Sequence, residues 1–198
     1  MIDVYKKLIA YAREKQHFLY MTIVLSAIAA ILQIFAFYYL YRFLQNIIMF
    51  DNMQSAQTYA FIIAGLLASG GLLYFLSLLL SHLFAFRLET NLRKYGIDGL
   101  SEASFKFFDM NSSGKTRKLL DDNAAQTHMA VAHMIPDNTG AIITPILVIL
   151  LGFFISVRVG AVLLILALVS LWLMKQMIGE QEFLAIYQSS LEKLSSET

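Results

Sequence analysis

The chain has 198 residues, of which 58% are hydrophobic and only 15% are charged. A soluble globular domain carries about 25% charged residues because its surface faces water, so this composition predicts a protein largely surrounded by lipid. The formal net charge of +1 gives no basis for binding nucleic acid, and the absence of cysteine excludes disulfide scaffolds and thiolate metal sites.

Residues 1–16 are predicted to form an amphipathic elbow helix that lies on the inner membrane surface. Tyr5, Leu8, Ile9 and Ala12 recur at helical spacing on one face, and the charged residues of this segment mostly lie away from it. The apolar stretch that follows continues without a break, whereas a signal peptide would turn polar after its cleavage site. We therefore expect this stretch to be retained as a membrane span.

Four long stretches with few or no charged residues predict four membrane-spanning helices, since about 20 apolar residues cross the roughly 30 Å hydrocarbon core. Basic residues cluster before the first span and between the second and third. By the positive-inside rule this predicts a multi-pass protein of the inner or plasma membrane with a cytoplasmic N-terminus. The predicted fold class is all-α. The spans are residues 17–44, 56–87, 134–157 and 159–178, with a short outer loop at 156–160.

The stretch between the second and third spans, residues 88–130, is predicted to be a cytoplasmic arm. Apolar residues at helical spacing indicate that the second span continues into the cytoplasm and that another helix returns from residue 115 to residue 133. A break over residues 107–114 separates the two helices. At a rise of 1.5 Å per residue, about 20 extra helical residues project about 30 Å beyond the bilayer.

The order of these elements, together with the sequence at the tip of the arm, indicates a family. The tip motif and its continuation are Phe107-Phe108-Asp109, Ser113-Gly114, and then Leu119, Leu120 and Asp122. In this order among the spans, they resemble the transmembrane domain of exporter-fold ATP-binding-cassette (ABC) transporters. The resemblance covers essentially the whole chain.

The resemblance implies that each cytoplasmic tip carries a short coupling helix that docks into a nucleotide-binding domain, where ATP and Mg²⁺ bind. The chain would be the permease part, moving substrate as two such halves, identical or different, open alternately to either side. The implied coupling residues are Phe107, Phe108, Asp109 and Gly114 in the first tip, and Leu191 and Leu194 in a second coupling region at about 185–198.

One local pattern points to a subgroup of this family. Ala132-His133-Met134-Ile135-Pro136-Asp137 resembles a stretch of the exporter-fold importers that take up iron–siderophore complexes. That subgroup works as a dimer of related chains. Substrate, direction of transport and the identity of the second half stay open at this level.

His133, Pro136 and Asp137 are the candidate residues of a substrate pathway. His133 and Asp137 are four residues apart and share a helix face, and charged groups at membrane depth usually face a bundle interior or a wet cavity. The alternative is that they only bond neighbouring helices. His128 and His133 are five apart and do not share a face closely, and no carboxylate is spaced to complete a zinc site with them, so no metal site is predicted.

No catalytic residue is predicted in this chain. Gly114-Lys115-Thr116 imitates the end of a Walker A motif, but its first glycine would fall at Asp109, so no nucleotide-binding loop is predicted. The family has six spans and a nucleotide-binding domain, so we expect the chain to be the N-terminal part of a longer transporter half. The alternative is a stand-alone four-span membrane protein that acts as a scaffold or binding module.

Overall fold

The computed structural model describes the backbone of residues 8–50, 53–110 and 112–196, and the side chains of residues 8–49, 54–109, 112–118 and 120–177. In these ranges the protein is helical almost throughout and contains no strand, which confirms the all-α class. The chain divides into two compact units, residues 1–144 and residues 145–198.

Within the described residues, six long or short α-helices follow residue 15, with a π-helical turn between the fourth and fifth. Residues 8–11 are helical as well, and a 3-10 turn, Arg13–Lys15, precedes the first long helix. The elements are α1 Gln16–Phe50, α2 Met53–Ser101, α3 Phe105–Met110, α4 Ser113–Arg117, the π turn Lys118–Asp122, α5 Asn123–Ile155 and α6 Val157–Ser196.

Four of these helical segments are long and apolar enough to cross a membrane, as the sequence predicts. They are Arg13–Met49, Gln54–Ser101, Ser113–Ile155 and Val157–Met177. The 49 residues of α2 measure about 73 Å at the α-helical rise, more than twice the roughly 30 Å of hydrocarbon.

The predicted elbow helix is only partly described, and it is not one straight helix as far as residue 16. Its backbone leaves the helical region at Ala12, with φ −121° and ψ 35°, before the 3-10 turn begins. The described residues of this segment do form an apolar face, because Ala12 is fully buried and Leu8 and Ile9 pack against the same core. Tyr5 lies outside the described residues.

The core of the first unit lies where the elbow segment, α1, α2 and α5 meet. Small residues are prominent in it, which lets the helix backbones approach closely. The buried members are Ala12, Leu19, Phe84, Ala85, Leu88, Val131 and Ala132.

A group of buried hydroxyls joins α1 to α2. Ser26 Oγ and Ser77 Oγ are 2.6 Å apart, Ser77 Oγ donates to the Thr22 carbonyl at 3.1 Å, and Thr22 Oγ1 donates to the Ser77 carbonyl at 3.3 Å. Hydroxyls buried at membrane depth need such partners, because lipid offers none. We call this group the hydroxyl clasp.

Both prolines lie inside α5, and the helix runs through them without interruption. Pro136 is fully buried, so its ring serves packing in the first unit. The backbone bonds lost at a proline are tolerated in membrane helices when neighbouring groups compensate for them.

The second unit contains a tight connection between α5 and α6. The predicted outer loop at 156–160 is wrong, because α6 begins at Val157 and Ser156 alone joins the helices. Gly152 makes this possible: a Cβ there would lie 2.6 Å from Leu163 Cδ1 and 3.2 Å from the Gly160 Cα. Gly160 is equally restricted, since any Cβ would overlap the Phe153 ring.

Replacing Ser77 by alanine is expected to lower the free energy of unfolding by roughly 0.6 to 1.7 kcal/mol, the range of hydrogen bonds between membrane helices. The reason is that Ser77 supplies both side-chain contacts from α2 to the clasp. Titration of the purified protein with a denaturing detergent measures this. Ser69→Ala is the matched control, because Ser69 is exposed and donates only within its own helix. Equal effects of the two variants would contradict the clasp.

Candidate functional site

The tip between α2 and α4 is a short helix that presents aromatic rings. The predicted break over residues 107–114 is thus partly wrong, because α3 occupies Phe105–Met110. The Phe107 N–H donates to the Ser104 carbonyl at 2.9 Å, and the Phe107 and Phe108 rings meet edge to face with centroids 5.5 Å apart. Phe105 is 91% exposed and Phe108 49%.

The structure places the predicted coupling residues on two neighbouring helices. Phe107, Phe108 and Asp109 belong to α3, and Gly114 belongs to α4, where the Ser112 hydroxyl caps the helix by accepting from the Lys115 N–H at 3.3 Å. A Cβ on Gly114 would meet nothing within 4 Å, so packing inside this chain does not require a glycine there.

The second coupling region is not described at side-chain level. Leu191 and Leu194 fall within the helical backbone of α6, but their side chains lie outside the described residues. Their predicted role stays a prediction.

An open cavity of about 570 Å³ lies beside the tip. Its wall combines apolar side chains with two arginines, two hydroxyls and one carboxylate. The lining residues are Arg93, Ile97, Phe108, Ser113, Thr116, Arg117, Leu120 and Asp121.

A network of charges ties α2 to the returning helix. Glu89 is only 9% exposed. One of its carboxylate oxygens lies 2.8 Å from the Arg93 guanidinium, and the other lies 3.1 Å from His128 Nδ1. The His128 contact has the distance of an ion pair but not the alignment of a hydrogen bond. Arg93 also lies 3.2 Å from Asp121. We call these four residues the Glu89 network.

Three histidines meet next to this network, which the sequence analysis did not foresee. His82 Nδ1 is 3.3 Å from His128 Nε2, and the His133 ring stands edge-on to His82 with centroids 5.1 Å apart. His82 of α2 thus contacts both His128 and His133 of α5. Among the described residues, no three His, Cys, Asp or Glu side chains are grouped to hold a metal ion.

The three predicted pathway residues do not converge on one cavity. Asp137 accepts a hydrogen bond from the Tyr74 hydroxyl at 2.5 Å, whereas His133 packs on His82. Pro136 lines a separate cavity of about 170 Å³. The remaining residues of that lining are Ser26, Ala29, Ala30, Gln33, Tyr74, Gly140 and Thr144.

Several helices are apolar and long enough to span a membrane, and the aromatic tip follows a helix much longer than a bilayer is thick. These features define a multi-pass membrane protein. The sequence matches the ABC transporter transmembrane region over residues 19–195, and the chain belongs to this family. The match is to the membrane region of such transporters.

Three curated relatives bear the same name, mycobactin import ATP-binding/permease protein IrtA. The protein of Mycobacterium tuberculosis is 29% identical over 140 residues, covering 71% of this chain and 16% of the relative. The protein of Mycolicibacterium smegmatis is 27% identical over 175 residues, covering 88% and 20%. The protein of Mycolicibacterium thermoresistibile is 33% identical over 91 residues, covering 46% and 10%. The chain therefore spans a fifth or less of the length of these relatives.

Replacing Glu89 by alanine is expected to lower the free energy of unfolding by about 2 kcal/mol, because Arg93 and His128 lose a charged partner in a largely buried place. Thermal unfolding in detergent measures this. Glu102→Ala, on the exposed stretch after α2, is the control and should change stability by less than about 0.5 kcal/mol. A Glu89→Ala variant as stable as Glu102→Ala would show that the network does not stabilise the arm.

Proposed function

We propose that this chain is part of the permease of an ATP-driven ABC transporter and that it couples ATP hydrolysis in a nucleotide-binding domain to substrate movement across the membrane. The family match over residues 19–195 carries this proposal. ATP and Mg²⁺ would bind in the nucleotide-binding domain, and this chain would supply the moving helices. The same match favours a transporter over a stand-alone four-span scaffold.

The dimensions of α2 support this proposal. With the hydrocarbon core taking about 30 Å of its roughly 73 Å, about 40 Å of the helix lies outside the core. The basic residues that follow the second span assign most of this excess to the cytoplasm, with the N-terminus on the same side. The tip then stands far from lipid, where a soluble domain can reach it.

The surface of the tip supports a protein partner there. Phe105 and Phe108 expose large apolar area at a place remote from lipid, and contiguous exposed apolar surface commonly marks an interaction site. Aromatic side chains are also the residues that most often dominate binding energy in interfaces. We assign this surface, with Phe107, Asp109 and Gly114, to the nucleotide-binding domain, and a second contact to Leu191 and Leu194.

Movement at the tip would reach the membrane through α2 and α5. These helices are joined by the Glu89 network, by the histidines and by the buried core around Phe84 and Leu88. Packed elements joined in this way move as bodies rather than deform continuously. A second transporter half, of identical or different sequence, would complete the pathway.

The relatives suggest the cargo. Because the three IrtA proteins are named for mycobactin import, we propose that this chain also serves uptake of an iron–siderophore complex. Within the chain, we assign to the pathway Asp137 with its partner Tyr74, and also His133 and Pro136, which would line it at separate places. Both Asp137 and His133 are exposed in the described structure, whereas Pro136 is buried.

Replacing Phe108 by alanine in the assembled transporter is expected to weaken docking by about 2 kcal/mol, as for an aromatic hot spot. Substrate movement per ATP hydrolysed should fall about tenfold or more, while residual ATP hydrolysis continues. Parallel assays of uptake and phosphate release in proteoliposomes measure this ratio.

Phe61→Ala is the matched control for the tip, since Phe61 is 80% exposed on a predicted span and would face lipid. It should leave the ratio of uptake to hydrolysis within about twofold of the parent protein, on the order of 0.5 kcal/mol or less. A Phe108→Ala protein with an unchanged ratio would exclude this ring from coupling.

Replacing Asp137 by asparagine is expected to reduce uptake of an iron–siderophore complex about tenfold, because the pathway loses its charge while the side chain keeps its size and can still accept from Tyr74. Tyr74→Phe is the companion variant, which keeps the charge and removes only the bond. Unchanged uptake and assembly in both variants would leave Asp137 with a packing role alone.

A further inference from the structure

The helix that returns from the tip contains one turn with one residue more than an α-helical turn. In the π turn Lys118–Asp122, the Asn123 N–H donates to the Lys118 carbonyl five residues earlier, whereas an α-helix bonds four residues back. The backbone on both sides is ordinary, with φ −60° and ψ −46° at Arg117 and φ −69° and ψ −35° at Asn123. Such isolated π turns are rare and occur frequently at functional sites.

A single leucine of this turn packs directly against α2. Leu120 lies so close to Gly96 that a Cβ on Gly96 would overlap Leu120 Cδ2. Gly99, three residues further along the same helix, has nothing within 4 Å of a Cβ. The close fit is therefore specific to Gly96, and we call it the Gly96 notch.

The ion pair described beside the notch opposes a change only weakly. Arg93 and Asp121 form an ion pair at 3.2 Å, but their side chains are 40% and 53% exposed, and exposed pairs contribute little stability. Leu120 also borders the cavity of about 570 Å³ at the tip, together with the apolar side chains of Ile97 and Phe108. An open space whose wall includes two apolar side chains besides Leu120 thus lies beside the notch.

We propose that the π turn switches between two helical registers in the arm, and we call it the register joint. In the described state the turn holds its extra residue, and Leu120 occupies the Gly96 notch. In the second state the turn tightens into α-helix, Leu120 leaves the notch for the cavity beside Ile97 and Phe108, and the tip turns relative to α5. One residue of register corresponds to about 100° of rotation and about 1.5 Å of advance.

The part of this joint in transport rests on the proposed function, to which it adds a step. A continuous α-helical arm would pass every displacement of the tip directly to the membrane. A joint with two registers lets the tip rotate first, so that a partner bound at Phe108 would bias the equilibrium between two discrete arrangements.

The joint can be tested by distance measurement, because these 198 residues contain no cysteine that would interfere with labelling. Spin labels at Asp98→Cys on α2 and Lys115→Cys on α4, both exposed positions, report the rotation of the tip. The protein is measured in lipid nanodiscs without nucleotide. A side chain at the helix surface moves by roughly 8 Å when the helix turns by about 100°.

Gly96→Ala is expected to shift the main label distance by several ångström, because the new methyl group expels Leu120. Gly99→Ala is the control and should keep the parent distance. In the double variant that combines Gly96→Ala with Leu120→Ala, the overlapping side chain is gone. The displaced distance should therefore no longer be the only distance observed. Leu120→Ala alone, which creates no overlap, should show both distances.

A Gly96→Ala distance identical to that of Gly99→Ala would overturn the joint, as would a single parent distance in Leu120→Ala. Should Gly96→Ala fail to fold, the Leu120→Ala measurement decides by itself. These distances are recorded without nucleotide, so they are independent of ATP-driven uptake. Absence of ATP-driven uptake in the parent transporter would instead overturn the proposed function and leave the joint standing.

Discussion

A chain segment in hydrocarbon must satisfy its backbone hydrogen bonds within the protein, and this constraint governs the structure of this chain. Lipid supplies no donors or acceptors, so each span is a continuous helix, and α5 remains continuous even through two prolines. The same constraint acts on side chains. The hydroxyls of Ser26 and Ser77 bond each other, and the hydroxyl of Tyr74 bonds Asp137 across to α5.

Helix α2 is the common partner in these polar links. It meets α1 through the hydroxyl clasp and α5 through tyrosine, histidine and glutamate, and it receives the π turn at the Gly96 notch. The character of the contacts changes along its length, from neutral hydroxyls to charged groups. In chain order its contributions are Tyr74, Ser77, His82, Glu89, Arg93 and Gly96.

The sequence was sufficient to predict the fold class, because charge-free stretches of span length in a chain with so few charged residues are typical of membrane helices. It also placed the tip near residues 107–114 through a resemblance to a family motif, although the structure forms a helix over Phe105–Met110 there. The sequence could not reveal that His82 meets His128, because the two lie on different helices and the register between helices is set by packing.

Local backbone geometry was equally out of reach. The π turn has no composition that distinguishes it from the surrounding helix, and Gly96 has no local feature that separates it from Gly99; only the position of Leu120 does so. The short outer connection was overestimated for a related reason. By sequence, Gly160 falls at the end of the predicted loop and Gly152 inside the third span, whereas in the structure both allow α5 and α6 to meet closely.

The one-residue connection at Ser156 has a consequence for how the protein is made. Two apolar helices joined so tightly leave no hydrophilic segment that could wait outside the membrane while the second helix is synthesised. The two helices are therefore expected to enter the bilayer together, as a single hairpin. Insertion of this part of the chain would then be a single event for both helices.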